Sequence, residues 1–228
     1  MADEVALAPT PAQTRSAAAK WWLFVIAGVL SLVADQGSKI WARASLPTLG
    51  HAVSGDCTPP LPVDWLPDAN HHVHCYGDAV DVIKGFWTWR LSMNPGSAFG
   101  LFGSLAVGRI LLSIVGIAAV IGMFVMLKKS RNDQRVLHWA LALVAGGAVG
   151  NLIDRIYTGM VTDFVSWDLK FMVWPTFNVA DIVLVIGVIL MFIDIQIEGK
   201  REKGKKAAKK AAQQKAAKAA GLVKDLEA

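Results

Sequence analysis

Carboxylate and amide side chains recur in this 228-residue chain at spacings that could build one site. Asn178 and Asp181 are three residues apart, which places them on one face of a helix, and Asp163 precedes them in an alternating polar and apolar segment. Two carboxylates in a site of low dielectric constant do not easily ionise together, so one keeps a proton. This division suits aspartyl hydrolysis, in which the ionised group takes a proton from water and the protonated group polarises the scissile carbonyl.

Two further groups of charged residues lie near apolar segments. Asp35 and Lys39 are spaced i, i+4, and we interpret them as a mutually neutralising pair that positions a helix end. Asp154 and Arg155 follow Asn151 in another apolar segment, where a guanidinium could hold Asp154 ionised as an orienting group. As sequence neighbours on a helix, Asp154 and Arg155 point about 100° apart and need not pair with each other. Spacing alone leaves aspartyl catalysis, a structural ion-pair network and a proton relay open.

The composition indicates which elements must position these residues. Hydrophobic residues make up 54% of the chain, charged residues 18%, and the mean hydropathy is +0.43. These values exclude an ordinary globular enzyme, a disordered protein and a small disulfide scaffold. The apolar excess is concentrated in four blocks of about 20 residues, the length of a membrane-spanning helix: Trp21–Ala42, about Leu105–Leu127, about Val136–Tyr157 and Asn178–Ile197. We therefore predict an α-helical integral membrane protein with four transmembrane helices and a small extracytoplasmic β element.

The first block resembles a cleavable signal peptide, because a basic start and an apolar core precede Ala42-Arg43-Ala44. Asp35 and Lys39 interrupt the stretch between core and cleavage-like site, so we expect a retained helix. In the third block, Gly146 and Gly150 form a small-xxx-small face that allows another helix to approach closely.

The distribution of Lys and Arg predicts the orientation of the spans. Basic residues precede the first block, follow the fourth and fill the link 128–135, whereas the segments 45–103 and 158–177 hold few. Both termini are therefore expected in the cytoplasm, with Asp154, Asp163 and Asp181 on the outer side. The predicted layout is a cytoplasmic tail at 1–20, a membrane domain at 21–198 with an extracytoplasmic insertion at about 46–82, and a basic Lys/Ala cytoplasmic tail at 199–228.

The net charge of +5 belongs to that tail, since ten of the 23 Lys and Arg lie between Lys200 and Lys224. We expect a solvated tail in preference to an anionic-lipid contact, and no nucleic-acid partner. The outer segments contain two alternating patterns typical of half-buried strands, from Trp87 to Asn94 and from Val161 to Val173, and these predict a small sheet on the outer membrane surface. For Cys57 and Cys75 a disulfide is the first interpretation; free thiols and a metal remain alternatives, although the Cys and His spacing matches no standard zinc pattern.

Five short motifs together resemble, in order and topology, the conserved boxes of lipoprotein signal peptidase (signal peptidase II). They are ADQGSK (34–39), NPGSAFG (94–100), GGAVGNLIDR (146–155), VTDF (161–164) and FNVAD (177–181), and the resemblance covers about residues 20–198. It implies an aspartyl protease of the bacterial inner membrane without metal or organic cofactor. Such enzymes remove the signal peptide from prolipoproteins, cutting before a cysteine that carries diacylglyceryl, so lipid-modified prolipoproteins and membrane lipids are the expected partners.

The resemblance also implies roles for individual residues. Asp163 in VTDF and Asp181 in FNVAD take the positions of the catalytic pair. The positions that line the site, bind substrate or support it are Asp35, Lys39, Asn94, Gly96, Asn151, Asp154, Arg155 and Asn178. Ser97 stands where the family more often has Ala. A small transporter or proton channel and a non-catalytic membrane scaffold are the competing interpretations of the chain.

Overall fold

Four α-helices form the main body of the protein. The computed structural model describes residues 17–47, 51–52, 75–76, 78–94 and 105–226. The helices are α1 (Ala17–Ser45), α2 (Leu105–Lys129), α3 (Arg135–Tyr157) and α4 (Val179–Leu226). Each includes a stretch long and apolar enough to cross a membrane, which confirms the four predicted blocks. Helix α4 continues beyond the apolar block through the Lys/Ala segment, because Ala and Lys are strong helix formers.

Helix α3 lies at the centre of the bundle and packs against α1, α2 and α4. Its glycines allow this contact: a Cβ on Gly146 would lie 2.6 Å from the Gly28 carbonyl oxygen of α1, and one on Gly147 would lie 2.7 Å from the Ala180 oxygen of α4. A Cβ on Gly150 would overlap the Asp35 side chain of α1, so the predicted face of Gly146 and Gly150 is confirmed. Helix α2 instead leaves most of its large apolar side chains exposed, as expected of a helix that faces lipid.

At the other end of α4, ion pairs join its extension to the link between α2 and α3. Arg131 donates to Glu198 at 2.7 Å, and Arg201 pairs with Asp133 of the same link. Beyond these contacts, residues 201–216 are all exposed. Up to residue 216, the basic segment is therefore tied to the bundle through its first turns.

Six strands form one antiparallel sheet: β1 (His51–Ala52), β2 (Cys75–Tyr76), β3 (Val80–Ile83), β4 (Trp87–Asn94), β5 (Val161–Asp168) and β6 (Val173–Phe177). The strand order is β1-β2-β4-β5-β6, and β3 also pairs with β4. The predicted strand from Trp87 to Asn94 is confirmed at both ends. Within the predicted insertion, the short strands β1, β2 and most of β3 extend this sheet. Cys57 lies outside the described residues, so the disulfide between Cys57 and Cys75 remains a prediction. Gly96 also lies outside the described residues.

The prediction of one alternating segment from Val161 to Val173 was wrong beyond Asp168. The chain turns there, and the Leu169 N–H donates to the Met172 oxygen at 3.0 Å. Asp168 opens the turn by accepting the Lys170 N–H at 2.8 Å, and Lys170 adopts a left-handed φ of 66°. Apolar and polar residues alternate through this turn by coincidence, so periodicity alone did not locate it.

A β-bulge between β4 and β5 decides which side chains face the bundle. Trp89 pairs with Val165, but three residues later Ser92 pairs with Asp163, two residues earlier on β5. The extra residue on β4 reverses its alternation relative to β5. Without the bulge, Leu91 would lie opposite Asp163. With it, Ser92 and Asn94 share the face of Asp163.

The sheet packs on the end of α1 through a small apolar core. Ala42 of α1 and Leu46, which directly follows the helix, pack with Leu91, Phe164 and Val165, and all five are buried. Trp41 adds edge-to-face ring contacts with Trp89 at 5.5 Å and with Phe164 at 6.1 Å between centroids. These contacts fix β5, and therefore Asp163, against the bundle.

Candidate active site

The first turn of α4 places Asp181. Asn178 precedes the helix and caps it: its Oδ1 accepts the Asp181 N–H at 3.1 Å, while the Asp181 Oδ2 accepts the Asn178 N–H at 3.2 Å. This is a capping box with Asp at the third helical position. Asp35 of α1 supports the same turn, because its Oδ1 accepts the Ala180 N–H at 2.9 Å. Helix start and carboxylate position are thus determined together.

Strand β5 places Asp163 within reach of the same cap. The Asn178 Nδ2 donates to Asp163 Oδ1 at 2.6 Å, and the Asn94 Nδ2 donates to Asp163 Oδ2 at 3.1 Å. Asp163 is only 3% exposed. Burial raises the pKa of Asp163 to about 7, and the negative charge of Asp181 adds to the effect, while the two amide hydrogen bonds and the Lys39 charge oppose it. Asp163 is therefore suited to hold a proton near neutral pH.

Asn151 of α3 completes the connection between the carboxylates. Its Nδ2 donates to Asp181 Oδ1 at 3.0 Å, and its Oδ1 accepts from the Asn178 Nδ2 at 3.2 Å and from the Lys39 Nζ at 2.8 Å. Since Asn178 also binds Asp163, hydrogen bonds run without interruption from Asp163 to Asp181. The expected convergence of the two carboxylates is seen in the structure.

The Lys39 ammonium is fully buried between two carboxylates. Its Nζ lies 2.9 Å from Asp35 Oδ2 and 3.3 Å from Asp154 Oδ2. The pairing of Asp35 with Lys39 is as predicted. Asp154 also accepts the Thr162 N–H at 2.8 Å, which ties α3 to the residue before Asp163.

The cations beside Asp154 are Lys39 and Arg43, whose Nη1 lies 3.7 Å from Asp154 Oδ1. The guanidinium beside Asp154 is therefore that of Arg43 and not that of its sequence neighbour Arg155. Arg155 points elsewhere on α3 and donates from Nη1 to the Asn151 oxygen at 3.2 Å, in keeping with the angle between helix neighbours. Arg155 thus supports the backbone of the residue that binds Asp181.

Three residues of the network were missed by the sequence argument. Arg43 donates to the Thr162 Oγ1 at 2.7 Å, and the Gln36 Nε2 donates to Asp35 Oδ2 and to the Gly150 oxygen, each at 3.0 Å. A signal for Arg43 was present, because it follows Lys39 by four residues and continues the helix face of Asp35. The sequence contained no comparable signal for Gln36 or Thr162. Of the predicted site residues, the network unites Asp35, Lys39, Asn94, Asn151, Asp154, Arg155, Asn178, Asp163 and Asp181, and Gly96 lies outside the described residues.

Four apolar helices, a packed sheet and two carboxylates joined by amides, Asp163 buried and Asp181 half-buried, are features of a membrane-embedded aspartyl hydrolase. Comparison with known proteins agrees with this class. The family model described as signal peptidase (SPase) II matches residues 26–197. A lipoprotein signal peptidase of Anaeromyxobacter sp. (strain Fw109-5) is 34% identical over 182 residues, which cover 76% of this chain and 84% of the relative. One from Xanthomonas campestris pv. campestris (strain 8004) is 33% identical over 185 residues, covering 80% and 92%.

Two solved structures, each described as a bacterial membrane enzyme, have the same fold. Both are 25% identical to this chain, with TM-scores of 0.57 and 0.58. The alignments cover 77% and 75% of this chain and 88% and 91% of those chains. The chain belongs to the signal peptidase II family and is a multi-pass membrane protein.

Proposed function

We propose that this protein is an aspartyl endopeptidase that removes the signal peptide from diacylglyceryl-modified prolipoproteins, cutting before the lipidated cysteine. Asp163 and Asp181 are the proposed catalytic pair. The observation that carries the assignment is Asn178, which binds Asp163 through its side-chain amide and forms a capping box with Asp181. The family and its curated relatives support the activity.

The surroundings of the two carboxylates support different roles for them. Asp181 lies in the first turn of α4, where the helix dipole favours a negative charge, and its carboxylate accepts hydrogen bonds from the Asn178 N–H and the Asn151 Nδ2. Asp163 has a pKa of about 7, so near neutral pH it holds the proton shared by the pair. Asp181 is therefore the proposed general base and Asp163 the proposed group that polarises the scissile carbonyl.

The proposed reaction proceeds in two steps. Asp181 takes a proton from water as the water oxygen bonds to the scissile carbonyl carbon, and the Asp163 proton stabilises the oxygen that gains charge. The carbon–nitrogen bond then breaks, and the proton held by Asp181 passes to the leaving nitrogen. The products are a free carboxyl group on the signal peptide and a free amino group on the lipidated cysteine.

The proposed orientation places both termini in the cytoplasm and the carboxylate pair at the outer leaflet of the inner membrane. The basic residues of the α2–α3 link and of the start of the tail support it. The signal helix of the substrate ends at that depth, and the apolar helices offer surface to that helix and to the lipid chains. Membrane lipids are accordingly partners, and residues 21–198 form the proposed peptidase domain between two cytoplasmic tails.

The test is cleavage of a diacylglyceryl-modified precursor by purified enzyme, normalised to folded protein. We expect Asp163→Asn and Asp181→Asn each to abolish cleavage while precursor binding stays measurable. Since the pair acts as a unit, the double variant should be barely worse than either single variant. Asp168→Asn, an exposed substitution on the same strand as Asp163, is the matched control. Cleavage at the control rate by Asp163→Asn or by Asp181→Asn would refute the assignment.

A further inference from the structure

The Lys39 ammonium contacts more than its two acidic partners. Its three acceptors are Asp35 Oδ2 at 2.9 Å, Asp154 Oδ2 at 3.3 Å and Asn151 Oδ1 at 2.8 Å. A lysine ammonium has three protons, so these contacts use its donor capacity completely. Charge neutralisation requires only the carboxylates. The contact with Asn151 therefore calls for a separate explanation.

That contact determines which end of the Asn151 amide faces Asp181. The Asn151 Oδ1 accepts from Lys39 and from the Asn178 Nδ2, so both of its lone pairs are in use. The Nδ2 is left to donate to Asp181 Oδ1 at 3.0 Å. In the flipped orientation, the amide NH₂ would face the ammonium and the amide oxygen would face the carboxylate, and both contacts would be repulsive.

The orientation matters because Asp181 changes its protonation state in the proposed reaction. An ionised Asp181 by itself attracts the Asn151 NH₂ group. Once Asp181 has taken a proton from water, an unrestrained amide could flip and accept a hydrogen bond from the new O–H group. The Asp181 O–H group would then donate to the Asn151 amide oxygen, and its proton would be less available to the leaving nitrogen. Lys39 opposes the flip whatever the charge on Asp181.

We infer that Lys39 is a positioning residue of the reaction: it keeps Asn151 a hydrogen-bond donor toward Asp181 throughout turnover. This inference rests on the proposed role of Asp181 as general base. Lys39 acts through Asn151. In the described part of the chain, Asp163 and Asp181 receive their hydrogen bonds from side-chain amides and a backbone N–H group.

The test compares variants in an Asp35→Asn background, because removing Lys39 alone would take from the buried Asp35 carboxylate its cation and leave Asp154 with Arg43. Asp35→Asn keeps an oxygen that can accept the Ala180 N–H. Against this background, Lys39→Met should lower kcat per folded enzyme by at least about tenfold and change KM by less than about threefold. Lys39→Gln, which retains a donor, should recover most of the lost kcat.

A second comparison tests whether the effect passes through Asn151. In an Asp35→Asn background that also carries Asn151→Ala, adding Lys39→Met should lower kcat by less than about threefold, because no amide remains to be held. An equal loss of kcat with and without Asn151 would overturn the inference, as would an unchanged kcat for Lys39→Met in the first background. Failure of the proposed function would appear separately, as activity in Asp163→Asn or Asp181→Asn.

Discussion

Asp154 is the residue whose substitution best separates a structural from a catalytic carboxylate. It is 2% exposed, accepts the Thr162 N–H at 2.8 Å and pairs with Lys39 at 3.3 Å and Arg43 at 3.7 Å. Asp154→Asn keeps nearly the same volume and one oxygen for the Thr162 hydrogen bond. It removes the negative charge and leaves Lys39 with Asp35 as its remaining carboxylate.

The size of the effect follows from these contacts. Removing one partner of a buried ion pair costs about 3–5 kcal/mol of folding free energy. Because Lys39 keeps Asp35 and Arg43 is 30% exposed, we expect the lower end of that range, about 3 kcal/mol. In a chain of this length, 1 kcal/mol shifts Tm by about 2–4 °C, so Asp154→Asn should lower Tm by about 6–12 °C.

Activity should respond differently. In the described part of the chain the Asp154 carboxylate contacts neither Asp163 nor Asp181, so the protein that folds should retain turnover. The partners of the Asp154 carboxylate are Gln36, Lys39, Arg43 and Thr162. The assay combines thermal unfolding in detergent with precursor cleavage per folded enzyme. Asp133→Asn, which breaks a partly exposed ion pair in the α2–α3 link, is the matched control and should cost less than about 1 kcal/mol. Should Asp154→Asn fold with an unchanged Tm and yet be inactive while Asp163→Asn still cleaves, the catalytic assignment moves to Asp154.

Three further results are expected. Since Asp163 must be protonated and has a pKa of about 7, kcat/KM should fall about tenfold per pH unit above pH 7, and a rate that keeps rising to pH 9 would contradict that role. Truncation after Lys206 should leave cleavage within about tenfold, a barrier change of roughly 1.4 kcal/mol, because the removed segment contains no apolar span and its residues 207–216 are all exposed. Gly150→Ala should lower Tm because its Cβ would overlap the Asp35 carboxylate, whereas Gly116→Ala in open space should leave Tm unchanged or slightly raised; equal effects on thermal unfolding would refute the packing argument.

Local regularities of the sequence predicted much of the architecture. The four spans follow from the length of their apolar blocks, and the pairing of Asp35 with Lys39 follows from helix spacing, so neither needed information about the rest of the chain. The approach of Asp163 to Asn94 could not be derived in this way. By strict alternation Asp163 shares parity with apolar residues, and only the bulge in β4 brings Asn94 to its face.

The same distinction explains which network residues were missed. Thr162 binds Asp154 through its backbone N–H, a group that every residue except proline carries, so its identity gave no signal. Arg43 shares the helix face of Lys39, but its partners come from α3 and β5, more than a hundred residues away in sequence. Contacts of this kind depend on how the elements assemble rather than on any local pattern.

The pairing of Asp35 and Lys39 within one helix has a consequence for biogenesis. During synthesis α1 precedes α3 and α4, which later supply Asn151, Asp154 and the Ala180 N–H to these two residues. An isolated charge in the bilayer costs at least about 2.5–3.5 kcal/mol on insertion scales. Because the two charges lie four residues apart and 2.9 Å from each other, α1 neutralises itself before its partners exist. Helix α1 can therefore insert into the membrane before α3 and α4 are made, with the ion pair of Asp35 and Lys39 already formed.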